Sequence, residues 1–160
     1  MKKIITIVLI SLFALTGCFL DKYTETNEVE VDVQNYTIGE TFKFQTFEIT
    51  IGNPEIVPIP EMYSSMVSSS DVIKIPINIK NVGDSHARLF EKFFDAFDYD
   101  DNRLTKATFY FDDSMTLADL IEPEKSIDRN LYYEYTGKDN YKIVFESKFQ
   151  KFTIDLPINK

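Results

Sequence analysis

The chain has 160 residues, with 26 acidic against 17 basic side chains and a formal charge of −9. That balance argues against nucleic acid, where Lys and Arg must displace counterions from phosphate. One Cys and one His exclude an internal disulfide framework and a four-thiol zinc site.

Lys2 and Lys3 precede an apolar run from Ile4 to Leu15, which ends in Leu15-Thr16-Gly17-Cys18. The run is too short for a membrane span and has the pattern of a secretory leader. Its last four residues resemble the lipobox of bacterial lipoprotein signal peptides. The resemblance implies cleavage after residue 17 and acylation of Cys18, the lipid attachment site. Two acyl chains give lasting attachment where one is marginal. Without Lys2 and Lys3 the formal charge falls from −9 to −11, so acyl chains and not electrostatics must hold the protein to an anionic membrane. The expected organisation is a signal peptide over 1–17, a polar tether over 18–28 and one folded domain over 29–160.

Across the whole chain, 14 Phe and nine Tyr with only five Gly and no Trp suggest a core of aromatic and β-branched side chains, which is strand chemistry. Val29, Val31 and Val33 alternate with acids and predict a half-buried strand. Tyr36 to Glu40 is a turn, and Phe42 to Ile51 a second strand closed by Gly52-Asn53-Pro54. Glu55 to Asp71, with two prolines and a Ser-rich run, reads as a long loop with room for an edge segment. Val72 to Val82 alternates cleanly, with Ile73, Ile75, Ile77 and Ile79 on one side. Arg88 to Ala96 predicts a loop or helical turn that becomes a strand. Asp98 to Arg103 is a tight polar turn. Ala107 to Phe111 reads as a short strand, and Leu117 to Glu122 as a helical turn or strand end. Leu131 to Tyr135, a hairpin loop at Thr136 to Asn140, and strands at Tyr141 to Glu146 and Phe149 to Leu156 complete the pattern. About eight short strands with polar turns predict an all-β fold, an antiparallel β-sandwich.

Three segments are similar to the family of exported bacterial domains called DUF4352, which are immunoglobulin-like sandwiches. They are Tyr36 to Phe42 followed by Phe47 to Ile51, the strand Ile75 to Lys80 closing on Asn81-Val82-Gly83-Asp84, and Phe97 to Arg103. Ile121 to Lys125 followed by Leu131 to Tyr135 resembles a fourth family segment, with Glu124 where the family carries glycine. The resemblance implies an immunoglobulin-like fold and an extracytoplasmic location, and no reaction.

Asp98, Asp100 and Asn102 place oxygen ligands at alternate positions, as at the start of a calcium loop. Arg103 and Phe109 stand where an EF-hand requires Gly and Glu, so an EF-hand is ruled out. A hairpin turn of solvated acids accounts for the same residues. His86 beside Ser85 is the only material for a general base, and adjacency in sequence is not triad geometry. In Leu131 to Tyr135, alternation puts Tyr133 and Tyr135 on one face and Tyr132 on the other, so an aromatic surface is expected on both. Tyr132, with Tyr63 and Ser68 of the Ser-rich loop, is therefore a candidate contact for a protein partner. These residues together predict a lipid-anchored, non-enzymatic binding module on the extracytoplasmic face of the cell membrane. The alternative is a calcium- or small-ligand-binding sandwich that uses the Asp98–Asn102 turn.

Overall fold

The cleanest alternation in the sequence becomes the longest strand. Asp71–Asn81 buries Ile73, Ile75, Ile77 and Ile79 on one side and turns Lys74, Asn78 and Lys80 to the other, the two-residue period of a pleated chain. The computed structural model describes residues 32–66, 69–115 and 119–158. Among these are β1 (Asp32–Tyr36), β2 (Thr41–Phe44), β3 (Phe47–Ile51), β4 (Glu55–Pro58), β5 (Asp71–Asn81), β6 (Phe94–Asp98), β7 (Ser126–Glu134), β8 (Asn140–Glu146) and β9 (Gln150–Pro157). Short 3₁₀ turns occupy Glu61–Met66, Glu91–Phe93 and Thr108–Tyr110. The expected all-β sandwich is what these strands build.

One sheet has the order β1-β9-β8-β6. In the other, β2 pairs with β3, β3 and β4 share one edge of β5, and β7 takes the opposite edge. Along the shared edge, Ile51 faces Ile77 while Glu55 faces Lys74. The β3–β4 strand thus carries one residue more than β5 across Gly52 to Pro54, which is a bulge. Gly52 donates its N–H to the Pro76 carbonyl at 2.8 Å, so the ring nitrogen of Pro76 faces the bulge. A proline is tolerated in this inner strand because its missing donor falls where the ladder is already broken.

Between the sheets the core is dominated by phenylalanine rings. Phe42 meets Phe145 and Phe152 edge-on at 4.7 and 5.2 Å, and Phe94 meets Phe145 at 4.3 Å, the favoured arrangement for aromatic quadrupoles. The buried Tyr133 hydroxyl donates across the core to the Phe94 carbonyl at 3.0 Å. Asn81, fully buried at the end of β5, donates to the carbonyls of Ser85 and Ile121 and accepts the Gly83 N–H. One amide thus ties two loops together.

Several expectations need correction. The first described strand, Asp32–Tyr36, runs parallel to β9, and Val33, expected on a buried face, is 60% exposed. Among the named strands the pairing is antiparallel except here, an isolated bridge between Ser114 and Asn130 is also parallel, and Val29 and Val31 lie outside the described residues. Phe42 to Ile51 is a hairpin broken at Gln45-Thr46, with Gln45 at a φ of 56°. The edge segment allowed within Glu55 to Asp71 is β4, and the 3₁₀ turn that follows it was not expected. Ala107 to Phe111 is not a strand; it carries a 3₁₀ turn lying against the free edge of β7, where Ala107 donates to the Tyr132 carbonyl. Thr136 to Asn140 is no hairpin loop, since it carries the chain from β7 in one sheet to β8 in the other. Arg88 to Ala96 does form a 3₁₀ turn leading into β6. Of the segment Leu117 to Glu122, 117–118 lie outside the described residues, as do the leader 1–17 and the tether 18–28, while Ile121 forms an isolated antiparallel bridge with Ala87.

Candidate functional site

The acidic turn grows out of the alternation of β6. Phe94, Ala96 and Asp98 all point inward, so the strand delivers a buried carboxylate to its own end. Asp98 Oδ1 accepts the N–H groups of Asp100 and Asn102 at 3.0 and 2.9 Å, and the Asn102 amide donates to Oδ1 and Oδ2 at 3.2 and 3.1 Å. The hydrogen bond from the Asn102 side chain holds the Asp98 carboxyl below its usual range, against an opposing desolvation. Asp101 sits at a φ of 63° and forms an ion pair with Lys142, while Asp100 pairs with Lys138 at 2.8 Å.

The fold therefore brings Asp98, Asp100 and Asn102 together, as the calcium reading needs. It also gives each of them a partner from the protein itself. Calcium requires six to eight oxygen ligands, and Asn102 faces the carboxylate with its N–H groups. Among the described residues no group of three or more His, Cys, Asp or Glu side chains is disposed to hold a metal. Beside the turn lies a cleft of about 490 Å³, lined by Tyr99, Asp101, Tyr141, Lys142 and Asp155 among others. Tyr99 stands 82% exposed at this end of the sheet.

The expected contact at Tyr132 is corrected by what covers it. Its ring is 2% exposed and stacks flat on Phe111, with centroids 3.8 Å apart. Its hydroxyl donates to Asp113 at 2.7 Å, and burial together with that carboxylate keeps the phenol protonated. Ile59, Val72 and Ala107 complete a second small core on the outer face of the β5–β7 sheet. Tyr63 is half-buried at its margin, its ring 5.0 Å from that of Tyr110. Ser68 lies outside the described residues, as does the lipid site Cys18. What this 3₁₀ turn does present to solvent is Met62, 75% exposed.

His86 is exposed and Ser85 engages Asn81 through its carbonyl, so the pair builds no nucleophile–base geometry. Among the exposed apolar side chains that the sequence pattern did not single out are Val33 and Phe149. Phe149 reads as the first residue of a strand, and the strand begins one residue later. The signal was the short connection itself, Ser147-Lys148-Phe149, which lacks the glycine or asparagine that tight hairpin turns favour.

No protein-family model matches the chain, and no curated relative does. Its fold is similar to that of several solved structures. A candidate lipoprotein of Bacillus subtilis, YcdA, superposes with a TM-score of 0.60 at 15% identity, covering 73% of this chain and 38% of that one. An uncharacterised β-sandwich protein of Clostridium difficile gives 0.56 at 19% identity, over 79% and 95% of the two chains. The secreted protein MPT63 of Mycobacterium tuberculosis gives 0.58 at 11% identity, over 77% and 95%. At such identities the likeness is one of fold: this chain contains a β-sandwich domain.

Proposed function

We propose that this chain is an extracytoplasmic lipoprotein, held to the cell membrane by acyl chains on Cys18. Its DUF4352-like sandwich serves as a non-enzymatic binding module for a protein partner in the envelope. The observation that carries this reading is Leu15-Thr16-Gly17-Cys18 behind a short cationic and apolar leader, with no other cysteine in the chain. A fold shared with a candidate lipoprotein and with a secreted protein supports it. The exposed His86, far from any triad arrangement, supports the non-enzymatic part.

The test is expression of the full chain in a bacterial host, with detergent phase partition and an intact mass. The wild type is expected in the detergent phase, cleaved before Cys18 and carrying acyl mass. Cys18→Ser is expected as an uncleaved, unacylated precursor. A wild-type protein with a free Cys18 thiol overturns the reading. Cross-linking the anchored protein in its own envelope then tests for the partner, and Met62→Glu is expected to weaken a contact made through the outer-face 3₁₀ turn.

A second reading, a small ligand taken beside the Asp98–Asn102 turn, is favoured by the cleft under the exposed Tyr99 ring. In its calcium form, Asp98, Asp100 and Asn102 must release their present partners, and a rise in melting temperature with calcium supports it.

A further inference from the structure

The first described residue lies against one particular turn. Asp32 donates its N–H to the Phe149 carbonyl at 3.1 Å, and β1 starts with Asp32 opposite Gln150. The chain therefore enters the sandwich at the β8–β9 connection. Thirteen residues, Phe19 to Val31, separate that point from Cys18. Even fully extended, at about 3.3–3.6 Å per residue, they reach only about 45 Å. A lipid on Cys18 would hold the turn at a high local concentration near the bilayer, so a weak contact suffices there.

The turn is built to present its two tip residues. Ser147 donates its N–H to the Gln150 carbonyl at 2.9 Å, and its hydroxyl accepts the N–H groups of Phe149 and Gln150 at 3.4 and 3.2 Å. Lys148 and Phe149 stand clear of the sheet, Phe149 57% exposed, with the Lys148 ammonium 5.3 Å from its ring. Neither turn chemistry nor packing calls for phenylalanine at this place. Val33, also exposed, lies in register with Lys151. The acids nearby are engaged: Glu146 pairs with Lys151 at 3.3 Å, and Asp32 accepts from Gln34. At the same end Lys92 lies over Phe90 and Phe93 just before β6. Asp98, Asp100 and Asp101 are gathered at the opposite end of that sheet.

We propose that the Lys148-Phe149 tip is a membrane-contact element. Phe149 and Val33 enter the headgroup region of the leaflet that holds Cys18, and Lys148 meets lipid phosphate. An aromatic side chain flanked by lysine suits that boundary, the ring on the acyl side and the ammonium among anionic headgroups. The contact stands the sandwich with its acidic turn away from the membrane, where an envelope partner can reach it. The proposal rests on the lipid-anchor reading.

The absence of Trp from the chain makes the test direct. Phe149→Trp and, separately, Tyr99→Trp are introduced into the full acylated protein and reconstituted into phosphatidylglycerol–phosphatidylethanolamine vesicles with brominated acyl chains. The indole at position 149 is expected to shift to the blue and to lose most of its emission, while that at position 99 emits as in water. A protein that floats with the vesicles and shows no quenching at position 149 overturns the membrane contact and leaves the anchor standing. A protein that does not float removes the anchor, and the contact with it.

Discussion

Asp98 shows what a single side chain does here and how far its role can be read in advance. A turn could be foreseen from Asp98-Tyr99-Asp100-Asp101-Asn102, because Asp and Asn satisfy backbone donors locally. The direction of the carboxylate could not, since it depends on β6 ending with an inward position. Asn102 holds the folded-state pKa of Asp98 below its ordinary 3.8. The folded protein thus takes up that proton at lower pH than the unfolded chain, and the stability gained at neutral pH is lost as pH falls below about 4. Asp98→Asn is expected to melt earlier at pH 7 and to show a shallower fall in melting temperature between about pH 5 and pH 2 than the wild type. Thermal unfolding across that range checks it. Tyr132 marks the opposite limit. Alternation assigns it to the outer face of its strand, but nothing local reveals that Phe111, some twenty positions earlier, lies flat on its ring.

Among the elements, the longest alternation was the most legible, while the short one ending at Val33 misplaced its exposed side. Asp71–Asn81 announces itself, because only a strand puts four isoleucines on one side at every second position. Phe42 to Ile51 conceals a turn because Gln45 takes a positive φ without being glycine. Ala107 to Phe111 has the composition of a strand, yet it serves as an edging along β7. The broken edge of β5 allows a sharper expectation. A Cβ at position 52 meets the Pro76 Cβ at 3.0 Å, with the Pro76 carbonyl at 3.6 Å behind it. Gly52→Ala must therefore push the bulge away from the ring that it accommodates, at a cost of about 1–3 kcal/mol typical of overpacking. Denaturant unfolding is expected to show a lower midpoint with an unchanged slope.

On the scale of the whole molecule, two sheets and their apolar faces follow from composition and period, whereas the wiring between sheets does not. Thr136 to Asn140 looks like a hairpin because Gly137, at a φ of 81°, supplies turn chemistry; which sheet the next strand joins is decided by the rings that it must bury. β9 contributes Phe152, Ile154 and Leu156 to the core and pairs with β1 on one side and β8 on the other. Deleting residues 150–160 is therefore expected to abolish cooperative unfolding altogether and not merely to lower its midpoint. Calorimetry distinguishes the two outcomes. The parallel pairing of the first strand with the last also fixes an order in time. Among the described strands, Asp32–Tyr36 finds its one ladder partner in residues 150–154, so this edge of the sheet closes only after those residues have been made. A chain that emerges N-terminus first would leave that edge open while every other described strand is made.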